Sequence, residues 1–91
     1  FPPIKFISLI NRYNSSPIII NAANEILVDN FLRKTINFRS ILKYLTLVLA
    51  EKKYKKYAIK KPKNIKGIMN IDKWARETTL KLIKKWKIYF W

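Results

Sequence analysis

Asn21, Asn24 and Glu25 are the residues of this chain whose types and spacing could do chemistry. They sit in Asn21-Ala22-Ala23-Asn24-Glu25, between the apolar runs Ile18-Ile19-Ile20 and Ile26-Leu27-Val28. Two amides and a carboxylate placed against a core need hydrogen-bond partners, so either a structural or a chemical reason put them there. A second group, Asp72, Arg76 and Glu77, follows about fifty residues later. The chain has no Cys and no His. Disulfides, thiolate or imidazole metal sites, and Ser-His or Cys-His catalysis are therefore excluded within these 91 residues. The five acidic residues, Glu25, Asp29, Glu51, Asp72 and Glu77, are scattered, a poor basis for a carboxylate-only metal site.

Each group has two readings. Asn21 can cap a helix, with Asn24 returning a hydrogen bond and Glu25 favouring the positive end of the helix dipole. Alternatively, Asn24 and Glu25 belong to a buried polar network between helices. Arg76 can pair with Asp72 four residues earlier on one helix face, or it can cross to Glu25 on another helix and supply the partner that a half-buried carboxylate needs.

The elements that must position these residues are helical. Pro2 and Pro3 suit a first helical turn, and Ile4, Ile7 and Ile10 follow at helical spacing with Phe6 and Leu9 widening the stripe. That helix is expected to stop near Tyr13, because Asn14-Ser15-Ser16-Pro17 is turn chemistry. A second helix, capped by Asn21, is apolar on nearly all sides through Leu32, the mark of a central helix. Asn37 caps a third, in which Phe38, Ile41, Leu42, Leu45, Val48 and Leu49 step by three and four. A basic connection from Tyr54 to Met69 contains Pro62 and Gly67, with Ile59, Ile65 and Ile68 to pin it. Asn70 caps a fourth helix that carries Ile71, Trp74, Ala75, Thr78, Leu82 and Trp86 inward. Ile18-Ile19-Ile20 is β-prone but too short and isolated to make a strand. The expected fold is all-α: one small domain over residues 1–91, a four-helix bundle with one long basic connection between the third and fourth helices.

A net charge of +15 invites a nucleic-acid or anionic-membrane partner, with aromatics interleaved among Lys52 to Lys61 and Lys81 to Trp91 for stacking. Against this, the richness in Lys, Ile, Asn, Tyr and Phe and the single Gly look like the imprint of an AT-rich genome. Arg, the better phosphate fork, appears four times. Most of the lysines are then solvated surface, and nucleic-acid and membrane partners are not expected. No apolar run approaches the ~18 residues of a spanning helix. Because residue 1 is Phe, the chain is expected to be processed or cut from something longer.

Asn-Ala-Ala-Asn-Glu-Ile at 21–26, Phe31-Leu32, Ile36-x-Phe38-x-x-Ile41 and Asp72-x-x-Ala75-Arg76-Glu77 occur in that order. Together they resemble the C-terminal helical domain of 1-deoxy-D-xylulose 5-phosphate reductoisomerase. The opening Phe1-Pro2-Pro3-Ile4-Lys5 is similar to the way that family's chain leads into this domain. The resemblance implies a larger enzyme that uses NADPH and Mg²⁺ or Mn²⁺ to make 2-C-methyl-D-erythritol 4-phosphate for isoprenoid synthesis. It also implies upstream dinucleotide-binding and central catalytic domains, a homodimer formed through the central domain, and a bacterial cytoplasm or, alternatively, a plastid or apicoplast. The catalytic, metal and cofactor residues of the family lie in motifs with no match here. No catalytic, cofactor or metal residue is therefore assigned, and Asn21, Asn24, Glu25, Asp72, Arg76 and Glu77 are expected to be scaffold. The strongly basic run from Lys53 to Lys63 and the tail from Lys84 to Trp91 depart from the family pattern. The tail's aromatics are expected to pack on the upstream domains or, alternatively, to lie at a membrane interface.

Overall fold

A computed structural model describes residues 13–90. They form four α-helices and no strand: α1 (Ser16–Leu32), α2 (Phe38–Leu49), α3 (Tyr54–Ala58) and α4 (Ile65–Phe90). The helix expected over residues 2–12 lies outside the described residues.

The first described helix starts earlier than Asn21. Ser15 occupies the N-cap position and Pro17 falls in the first turn, where a missing N–H leaves nothing unsatisfied. Asn14 and Ser15 form the expected turn, and Ser16 and Pro17 already belong to the helix that it leads into. Its hydroxyls tie α1 to the far side of the domain. Ser15 N–H donates to the Ala58 carbonyl at 2.8 Å, Ser15 Oγ donates to the Lys60 carbonyl, and Ser16 Oγ lies 2.6 Å from the Tyr54 hydroxyl. Burial of Ile19 outweighs the β preference of the isoleucine run.

At its other end α1 closes with paired reverse bonds. Lys34 N–H donates to the Phe31 carbonyl at 3.0 Å and Thr35 N–H to the Asn30 carbonyl at 2.9 Å. This Schellman closure places Lys34 at φ 64°, a left-handed position that normally takes Gly. Lys34→Gly is accordingly expected to raise domain stability by about 1 kcal/mol, seen as a higher melting temperature.

Asn37 caps α2 as its spacing predicts: extended at ψ 167°, its side chain accepts from Ser40 N–H at 2.9 Å. The same cap holds the end of α4. Asn37 Nδ2 donates to the Phe90 carbonyl at 3.2 Å, and Ser40 Oγ lies 3.0 Å from that carbonyl. With the Tyr44 hydroxyl near the Ile83 carbonyl at 3.5 Å, these contacts run α2 antiparallel to α4. The short turn before α2, closed by the Phe31–Phe38 edge contact at 5.7 Å, reverses α1 on α2, so α1 and α4 run parallel.

The connection after α2 is shorter than its composition implied. Tyr54–Ala58 is a helical turn, and α4 begins at Ile65 instead of Asn70. Asn64 Oδ1 accepts from Gly67 N–H at 2.9 Å, the capping bond expected of Asn70. Gly67 lacks the Cβ that would meet the Pro62 ring at 3.0 Å, so proline and glycine serve a tight helix start here. The pins also differ from expectation. Ile59, Ile65 and Ile68 are exposed, whereas Tyr54 and Ala58 are buried and Tyr57 stacks on Trp74 at 4.7 Å. Ile59 follows the short helix, and Ile65 and Ile68 lie on the outer side of the first turn of α4, so none reaches the core that Tyr54 reaches.

The core joins Ile19 and Leu27 of α1, Tyr44, Leu45 and Val48 of α2, and Ile71, Leu82 and Ile83 of α4. Ala22, Ala23 and Ala75 are wholly buried. Side chains this small let α1 and α4 approach closely. Part of the tail packs on the domain itself: Phe90 meets Tyr44 edge-on at 5.0 Å and stacks with Trp86 at 6.0 Å, while Ile88 and Tyr89 stay exposed.

Candidate functional site

Helical spacing divides Asn21–Glu25 between two environments. Ala22 and Ala23 point into the core, while Asn21, Asn24 and Glu25 point outward and are exposed. Asn21 is therefore an interior helical residue and not a cap, because Ser15 and Pro17 start the helix six and four residues before it. The side chains of Asn21 and Asn24 are exposed and make no hydrogen bond among the described residues, so Asn24 joins no buried network.

Glu25 does find a partner. Arg76 Nη2 donates to Glu25 Oε2 at 2.6 Å, and Arg76 Nε donates to Asp72 Oδ2 at 2.7 Å. The two pairings considered for Arg76 coexist, because the guanidinium fork has enough donors for both. The bonds to Asp72 and then to Glu25 raise the Arg76 pKa above its ordinary value, so it remains cationic across the working pH range. The cluster is only partly sheltered, with side-chain exposures of 35% for Arg76, 35% for Asp72 and 56% for Glu25. Solvent and salt will therefore screen it. Arg76→Met is expected to cost about 1 to 2 kcal/mol, on the scale of charge-assisted bonds near a surface. Thermal melts of Arg76→Met, Glu25→Gln and the double variant would read the cross-helix part as a coupling energy.

Glu77 stands apart from this cluster. It is exposed and borders a shallow depression of about 360 Å³ with Glu51, Lys52, Lys53, Trp74, Thr78 and Lys81. The remaining acidic residue of α1, Asp29, pairs with Arg33 at 3.2 Å. Reading the sequence alone missed the Ser15–Ser16 anchor and the Tyr57–Trp74 stack. The signal for the first was serine hydroxyls directly before Pro17; the second joins residues with no local spacing to announce it.

Chemically, the Arg76 cluster can hold α1 on α4, and its charges are committed to one another. Among the described residues, no three side chains of metal-ligating type lie together. Glu25 and Asp72 already accept from Arg76, so the donor set does not suit a divalent cation. The single Gly packs against Pro62 in a helix start, which leaves no glycine-rich loop to cradle a dinucleotide phosphate. Among the same residues, no helix is long and apolar enough to cross a membrane.

Residues 1–78 match the family model described as DXP reductoisomerase C-terminal domain. The relatives include 1-deoxy-D-xylulose 5-phosphate reductoisomerases from three bacteria. That of Francisella tularensis subsp. novicida is 40% identical over 75 residues, which cover 81% of this chain and 18% of the relative. That of Blochmanniella pennsylvanica is 39% identical over 72 residues, covering 79% and 17%. That of Ruthia magnifica is 35% identical over 77 residues, covering 85% and 19%. No solved structure matches the chain. The chain spans less than a fifth of the length of these relatives. Nothing in these similarities supports the rival reading as a basic RNA- or membrane-binding module. A family match over most of the chain, joined to an all-helical fold, places this protein in the DXP reductoisomerase C-terminal domain family.

Proposed function

We propose that this chain serves as the structural C-terminal domain of a 1-deoxy-D-xylulose 5-phosphate reductoisomerase and contributes no catalytic group of its own. The match of residues 1–78 to that domain carries the proposal. The local chemistry agrees with it: Arg76 bonds Glu25 across two helices and Asp72 within its own. Asn21, Asn24, Glu25, Asp72, Arg76 and Glu77 are then scaffold and surface, not reaction machinery.

In this reading the domain is a small helical bundle, and the exposed lysines from Lys52 to Lys63 form its solvated edge. It braces the upstream catalytic part, and such support keeps reacting groups in productive geometry. NADPH and Mg²⁺ or Mn²⁺ would be held by that upstream part, since the residues described here suit neither. The whole enzyme would be a cytoplasmic homodimer, paired through its central domain.

The test is NADPH oxidation in the presence of 1-deoxy-D-xylulose 5-phosphate and Mg²⁺ or Mn²⁺. The 91-residue chain alone is expected to give none. Turnover by the isolated chain would refute the assignment.

A further inference from the structure

One helix of this strongly basic protein is free of lysine. More than one residue in five is Lys or Arg, yet residues 13–32, which include the whole of α1, contain neither. The outward side of α1 presents Asn21, Asn24, Glu25 and Val28, the last 37% exposed. Beside it, tied on by the Glu25–Arg76 bond, α4 presents Ile65, Met69, Asp72, Arg76 and Leu80 at helical spacing. Ile65 is 74% exposed, Met69 63% and Leu80 49%. These α4 residues line an open groove of about 980 Å³, to which Lys66 and Lys73 also contribute.

Elsewhere the surface is kept in water by lysines. Here α4 offers isoleucine, methionine and leucine, and α1 offers valine and two exposed amides, with a half-sheltered ion pair joining the two helices. A lysine-free helix face beside an apolar groove that carries Met and Arg has the composition of a contact surface. The matched relatives extend over more than four-fifths of their length beyond the region this chain covers. The family model names that region the C-terminal domain, so the additional length precedes it.

The geometry points to this α1–α4 face as the surface on which the preceding part of the same polypeptide docks. Apolar side chains of that part would fill the groove beside Ile65 and Met69, and its polar groups would satisfy Asn21 and Asn24. The inference rests on the proposed role as a bracing domain and adds which face does the bracing.

Met69 is the only methionine among the 91 residues and reports directly on this face. The full-length enzyme is exposed to hydrogen peroxide, and Met69 sulfoxide is followed by peptide mass spectrometry. In the native enzyme Met69 is expected to oxidise at least about tenfold more slowly than in urea, since a docked thioether is shielded. Equal rates in the two states would overturn the docking face. Protection that vanishes on dilution would assign the face to a second copy and overturn it too. In the same enzyme, Met69→Lys is expected to increase trypsin cleavage between the domains severalfold, with Ile88→Lys leaving it unchanged; the reverse pattern would put the contact elsewhere. The two readings can fail separately. An unprotected Met69 in an enzyme that needs its C-terminal domain refutes only the face, and a protected Met69 in an enzyme active without that domain refutes only the bracing role.

Discussion

Tyr44→Ala is expected to lower the stability of this domain by about 3 to 5 kcal/mol, the range for deleting a large buried aromatic. Tyr44 is wholly buried on α2, where its ring meets Phe90 edge-on at 5.0 Å. Burial raises its pKa above the ordinary phenol value, so the neutral form persists to more alkaline pH. Removing the ring opens a cavity beside α4 and leaves the last turn of that helix without its apolar anchor. The companion Tyr44→Phe keeps the ring and loses only a 3.5 Å contact to the Ile83 carbonyl, so a loss of about 1 kcal/mol or less is expected. Urea unfolding followed by circular dichroism would separate the two. Equal losses would show that the hydroxyl, and not the packing, carries the residue's contribution.

The second large effect comes from adding atoms. Ala23→Leu puts three extra carbons into a wholly buried position at the centre of α1. Overpacking of a dense core typically costs about 1 to 3 kcal/mol, and the upper end is expected here because a helix interior cannot step aside locally. Asn24→Leu, one residue later but exposed, should stay within about 0.5 kcal/mol. Thermal melts of this pair test whether the alanines or the asparagines matter to the fold. A large loss at Asn24 with none at Ala23 would reverse the assignment of faces.

How much of this was legible depended on whether the signal was local. The third expected helix, α2 in the structure, was read with its cap, because Asn37 and the period of Phe38 to Leu49 lie together in sequence. The starts of α1 and α4 were missed. Pro17 reads as turn chemistry and Pro62 and Gly67 as part of a connection, whereas the first suits an opening helical turn and the other two pack together to begin a helix. The polar stretch at residues 21–25 drew attention for a sound reason with an unexpected resolution. Its amides do not need burial partners because the helix turns them outward, leaving two alanines as the buried part. The bond from Arg76 to Glu25 joins residues 51 apart. The need of the carboxylate for a cationic partner suggests it, but no local spacing chooses it over the Asp72 pair, and both form.

The direct test of the bracing role is steady-state NADPH consumption by the enzyme that carries this domain, compared with the same enzyme truncated before it. The truncated enzyme is expected to lose at least about 100-fold in turnover, the scale reached when reacting groups drift by an ångström. Adding the separate 91-residue chain should recover a measurable part. Full activity in the truncated enzyme would contradict the account.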